Sequence, residues 1–165
     1  MTTPRSGLPQ WGVHDDFNVQ QDRFAAMIVF ERCRPVVVPL AVTLEVSLQK
    51  AHLGRLRQAG ELGRLLADQG EMHARDNVQG DLLQAFPALP YDLLNFHYDP
   101  LACAVALGWE AATIDEIRTD LSLGVDRLWM KPADDGTALS VVTGVDAPAF
   151  QEEWLQAVER ASMPK

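Results

Sequence analysis

Residues 97–100 read His-Tyr-Asp-Pro and stand directly ahead of the apolar run LACAVAL. An imidazole, a phenol and a carboxylate in succession can hold protons, donate hydrogen bonds and ligate a cation. Asp-Pro is also a helix start: the aspartate caps the first turn, the proline takes the first helical position, and Gly108 stands where the helix would stop. The two roles are compatible. One oxygen of Asp99 accepts from the cap amides while the helix dipole keeps the carboxylate ionised, and the second is left for a hard cation such as calcium or magnesium. Because the run is apolar on every side, it is expected to be buried, with Asp99 at the floor of a cleft.

A second polar cluster, WGVHDDFNVQQD, occupies residues 11–22. Asp16 and Asn18 lie two apart, so in an extended segment their side chains project to the same side and can share the hydroxyls of a polyol. A plainer reading makes the stretch a solvated loop that ends in Asp22 as a helix cap. His52 and His73 fall on expected helices without a ligand-type residue three or four positions away, which makes them surface residues rather than zinc ligands. The triplet DDG at 134–136 is a turn signal. No P-loop, GxGxxG, GxSxG or HExxH motif occurs.

These residues need elements to hold them. Residues 1–12 carry two prolines and two glycines and read as a loop or tail. RFAAMIVFERC is helical in composition, with Asp22 before it and Pro35 after it. RPVVVPLAV, 34–42, reads as a strand covered on both faces, as in a parallel sheet, and ending near Val38 because Pro39 cannot donate to a ladder. Thr43 to Ser47 is expected to be a loop. SLQKAHLGRLRQAG and ELGRLLADQGEMHARD read as two helices, the second weakened by Gly70. A turn-rich stretch with a short helix follows up to the opening motif. Beyond Trp109 the alternation predicts two or three strands, ALSVVTGV the clearest. PAFQEEWLQAVER then forms a closing helix with Pro148 in its first turn and Phe150, Trp154, Leu155 and Val158 on one face.

The composition suits one globular domain over residues 1–165, with 47% hydrophobic and 22% charged residues. A net charge of −9 argues against a nucleic-acid or acidic-membrane partner, which needs basic surface. Cys33 and Cys103 are expected to be reduced core residues. No secretory signal is visible and the longest apolar runs fall short of the ~20 residues of a membrane span, so a cytoplasmic protein is expected. One convincing buried strand cannot make a parallel sheet, so most of a sheet is expected to lie outside these residues. An unpaired sheet edge would then invite self-association.

In order and spacing, DFNVQQDRFAA, VVVPLAVT, YDPLACAVAL and the tail VVTGVDAPAFQEEWL together resemble the C-terminal half of the inosine–uridine-preferring nucleoside hydrolases, over roughly residues 11–160. The resemblance implies an α/β fold, an open sheet with flanking helices whose N-terminal strands are missing here. It implies a calcium-dependent hydrolase of purine and pyrimidine nucleoside salvage, which splits ribonucleosides into ribose and free base. By resemblance, Asp99 matches the motif aspartate that ligates calcium and meets a ribose hydroxyl. Asn18 matches the asparagine that holds ribose hydroxyls, and Asp16 stands where the family has glutamate, one methylene longer. Tyr98 replaces the histidine that protonates the leaving base. With an unperturbed pKa near 10, its phenol is a weaker acid than imidazole.

The family's D-T-D-x-G-x-D-D-like cluster, which supplies most calcium ligands and the general base, has no counterpart in the 165 residues. The expected partners are a ribonucleoside and either a separate N-terminal half or further copies of the chain. By itself the chain is expected to bind calcium weakly and to be weakly active or inactive. The competing expectation is a degenerate module that binds or assembles without catalysis.

Overall fold

A computed structural model describes residues 7–77 and 79–162. The first part of the chain forms α1 (Phe17–Gln21), α2 (Arg23–Cys33), β1 (Val36–Val37), the helical turn α3 (Leu40–Thr43) and β2 (Ser47–Gln49). Next come α4 (Lys50–Gln58), α5 (Glu61–Asp76), α6 (Gln79–Ala85), β3 (Leu93–Phe96) and α7 (Tyr98–Ala106). The chain closes through β4 (Ala112–Leu123), β5 (Leu128–Pro132), β6 (Thr137–Val145) and α8 (Ala147–Ala161). The result is an α/β fold of two compact units, one built mainly from residues 10–42 and 112–145, the other mainly from residues 43–111 and 146–162. No helix among the described residues is long and apolar enough to cross a membrane.

The first unit holds a four-stranded sheet in the order β1-β6-β4-β5. Strand β4 pairs antiparallel with both β5 and β6, and the DDG signal sits in the tight connection between β5 and β6. Gly136 is required there, because a side chain would collide with the carbonyl of Thr119. Asp22 caps α2 as expected, its Oδ1 accepting from the amide of Ala25 at 2.9 Å. Helix α2 brings Phe30, Ala26 and Met27 to a core made with Leu128, Leu139 and Val141. Its Phe24 and Ile28, one turn apart, stay exposed.

The valine run does form a parallel strand, β1 against β6, but only Val36 and Val37 belong to it. It lies at the edge of the sheet, and Val36 is exposed, so the strand is not covered on both faces. Pro35 and Pro39 bracket it and leave no room for a longer ladder.

In the second unit β2 and β3 pair antiparallel, with a bulge at Leu48/Gln49. Neither strand was expected: β2 takes the last residue of the anticipated loop and the start of the anticipated helix. Leu48, Leu94, Leu53, Leu56, Leu155 and Val158 pack together as its core. Helix α5 turns a face of small residues, Gly63, Ala67 and Gly70, into that core. A β-carbon on Gly70 would stand 2.5 Å from Leu48 Cδ2, so the glycine that breaks helix propensity is the one that lets α5 close on β2. Asp146 caps α8 through the amide of Ala149 at 3.0 Å. Arg55 of α4 bridges Glu152 and Glu159 of α8. Glu152 is exposed and Arg55 and Glu159 are partly so, so the bridge orients the helices more than it stabilises them and weakens with salt.

Two further expectations fail in this unit. Helix α7 buries only Leu101, while Leu107 is exposed; its uniformly apolar composition does not correspond to burial on every side. Both cysteines, Cys33 and Cys103, are exposed rather than in the core.

Candidate functional site

Strand β3 ends at Phe96, and the chain passes through His97 directly into α7, so the strand end delivers His97, Tyr98 and Asp99 to one place. All three line a cavity of about 350 Å³ that also involves Asn95, His73 and Trp154. The cap position belongs to His97, not Asp99, and makes no side-chain cap hydrogen bond. The helix begins two residues earlier than the Asp-Pro rule implies. Pro100 is still within the first turn, where no amide is needed for the ladder, so the shift is tolerated.

Asp99 consequently sits inside the first turn with an exposed carboxylate. Among the described residues it accepts no hydrogen bond, so both oxygens are open rather than one. The positive end of the helix stabilises its charge.

Tyr98 is half-buried, its ring tilted against Phe96 at 5.6 Å between centroids. Burial pushes its phenol up to about 12, so it keeps its proton firmly at neutral pH. His97 is 4% exposed. Its ring lies 4.4 Å from that of Trp154 and 5.8 Å from that of Phe150, and its backbone amide donates to the carbonyl of Val46 at 3.0 Å. Burial, helped by the neighbouring His52, pushes the imidazole down to about 4. Among the described residues its Nε2 is buried without a hydrogen-bond partner.

His52 and His73 are not plain surface residues. His52 is half-buried, and its Nδ1 accepts from the amide of Gln49 at 3.1 Å, closing the start of α4. Burial lowers its pKa. His73 lines the cavity, with Nδ1 3.1 Å from the Asn77 side-chain nitrogen.

Asp16 and Asn18 belong to the first unit, whereas Tyr98 and Asp99 belong to the second. They do not sit side by side on an extended segment. Asp16 is the cap of α1, its Oδ1 accepting from the amide of Val19 at 2.9 Å, and Asn18 is an exposed residue within that helix. The two-residue alternation of a strand therefore does not align them. Asp16 lines a cavity of about 360 Å³ with His14, Asp15, Gln20 and Arg127, where the His14 ring stacks on Trp129 at 4.7 Å.

The family resemblance gives a role to Tyr98 and none to His97. The missed signal was the uninterrupted LLNF before it, a buried strand whose end places His97 beside the same cavity. Among the described residues, no three His, Cys, Asp or Glu side chains converge into a set that could hold a metal ion.

Three comparisons complete the description. A family model described as inosine-uridine preferring nucleoside hydrolase matches residues 9–152. Among solved structures, an inosine-uridine preferring nucleoside hydrolase from Bacillus anthracis superposes with a TM-score of 0.56 at 18% identity. The match covers 96% of this chain and 49% of the Bacillus chain, so the chain spans about half the length of that structure. A search of curated protein sequences finds no match.

Proposed function

Because the chain belongs to the inosine-uridine preferring nucleoside hydrolase family, we propose that it serves the hydrolysis of ribonucleosides to ribose and free base. The observation that supports this reading within the chain is Asp99, a carboxylate with both oxygens open, at the mouth of a cavity that also offers Tyr98 and Asn95. In this proposal Asp99 meets a ribose hydroxyl and is one oxygen ligand for calcium. Asp16 and Asn18 of the first unit keep, as the family resemblance implies, a separate proposed role in holding sugar hydroxyls, for which Asp16 has the oxygen its cap bond does not use.

Calcium takes six to eight oxygens, and the described residues by themselves do not assemble such a set. The chain does not fit the metal alone, and the remaining ligands have to come from polypeptide that carries the aspartate cluster. Tyr98 holds its proton where a departing base could accept a hydrogen bond, but a phenol raised to about 12 is a poor general acid at neutral pH. Bases that leave without full protonation are therefore the better substrates.

The test is release of ribose from inosine and uridine with calcium present. The chain alone is expected to be inactive or nearly so. Mixed with a complementary polypeptide bearing a D-T-D-x-G-x-D-D segment, it is expected to release ribose, and Asp99→Ala is expected to lower that rate by about a hundredfold or more, the scale of losing one positioned charged contact to the reacting centre. Full turnover by the chain alone sinks the split-site proposal. Ribose binding with no release under either condition favours a non-catalytic binding module.

A further inference from the structure

Resting on the nucleoside reading above, we propose that His97 is the residue by which the second unit's cavity selects an uncharged hydrogen-bonding group of the nucleoside, a ribose hydroxyl or a base carbonyl or N–H. His97 lines the cavity, and its Nε2 is buried with no partner among the described residues. A buried ring nitrogen left unpaired costs more than an ordinary hydrogen bond returns, and such groups in native proteins are paired in the working state. The ring is held for that purpose. Trp154 and Phe150 pack against it, and the backbone bond to Val46 fixes its root.

The chemistry of the group narrows the ligand. Buried against Trp154 and Phe150, the ring offers a single unpaired nitrogen, and no lysine or arginine among the described residues lines the cavity to pair with an anion. Asp99 brings a carboxylate to the cavity lining. A phosphate monoester would be repelled there and would gain nothing from His97. The cavity should accordingly take a nucleoside and refuse the corresponding nucleotide. About 350 Å³ is at the small end of ligand cavities, on the scale of a nucleoside and not of a dinucleotide.

The decisive measurement is a long-range proton–nitrogen spectrum of the histidine rings of the full chain, titrated to millimolar levels with inosine, ribose, hypoxanthine, uracil and inosine monophosphate. Inosine is expected to move the His97 Nε2 signal, and either ribose or one free base is expected to reproduce the shift, which identifies the selected group. Inosine monophosphate is expected to leave it in place. His97→Phe, which keeps a ring against Trp154, is expected to weaken inosine binding about tenfold, and His97→Gln to recover part of the loss.

Three results overturn the proposal: a fixed His97 signal while Trp154 fluorescence reports bound inosine, binding of none of the probes, or equal binding of inosine and its monophosphate. The first of these leaves the nucleoside reading standing. Failure to release ribose with the His97 shift intact sinks hydrolysis and not the selection.

Discussion

Gly63→Ala lowers the melting temperature by roughly 5–10 °C, whereas Gly54→Ala raises it by about 3 °C. Both glycines are helical, so propensity alone favours alanine by about 1 kcal/mol at either site. Their surroundings are opposite. At Gly54 in α4 a new β-carbon meets nothing within 4 Å, and the full propensity gain is realised. At Gly63 in α5 it collides with the carbonyl oxygen of Leu56 and stands 2.9 Å from the Ala59 β-carbon. A backbone carbonyl cannot rotate aside as a side chain does, so α5 must lift from α4. Overpacking of this kind costs about 1–3 kcal/mol and more when backbone must move, which outweighs the gain. Thermal melts of the two variants against the parent chain decide the matter. A Gly63→Ala protein as stable as the parent would show that α5 does not approach α4 as described.

Acid weakens the fold through His97. Its folded pKa lies near 4 and its ordinary value is 6.5. The unfolded chain therefore takes up this proton as pH falls through 6.5, while the folded chain refuses it until about pH 4. In that window the unfolded state binds more protons, so stability rises with pH and is lost on acidification. The depression is worth about 3 kcal/mol, fully expressed by pH 4 and absent above pH 7. Glu152 acts in the same direction but lower: Arg55 holds it down to about 2, so its contribution fades only in stronger acid. Urea unfolding at pH 7, 5.5 and 4 separates them. The parent chain is expected to lose most of its His97 increment by pH 4, and His97→Phe to show a flatter acid limb. Parallel limbs for the two proteins would mean that His97 is not buried in its neutral form.

Much of the architecture was legible because long, capped or turn-bounded segments announce themselves. Asp22 before RFAAMIVFERC, Asp146-Ala-Pro before the last helix and DDG between two alternating runs each encode a local bond that the structure makes. Strands β2 and β3, three and four residues long, are too short for a period to emerge, and they paired only because each offers leucines to a core assembled from distant helices. Helix α7 misled for a different reason: composition records how apolar a segment is, and exposure depends on what packs against it. The site was half legible. The family motif drew attention to Tyr98 and Asp99, but the value of His97 depends on Trp154 and Phe150, some fifty residues away in sequence. No local rule brings those rings together.

The brevity of β1 has a consequence in time. Val36 and Val37 give the strand two paired positions against β6, whereas β4 and β6 share eight. A sheet opens from where it is least fastened, so the amides of this edge exchange with solvent long before those near Ile117 and Leu139. The parallel rung at the edge of the sheet is the part of it that is continually being remade.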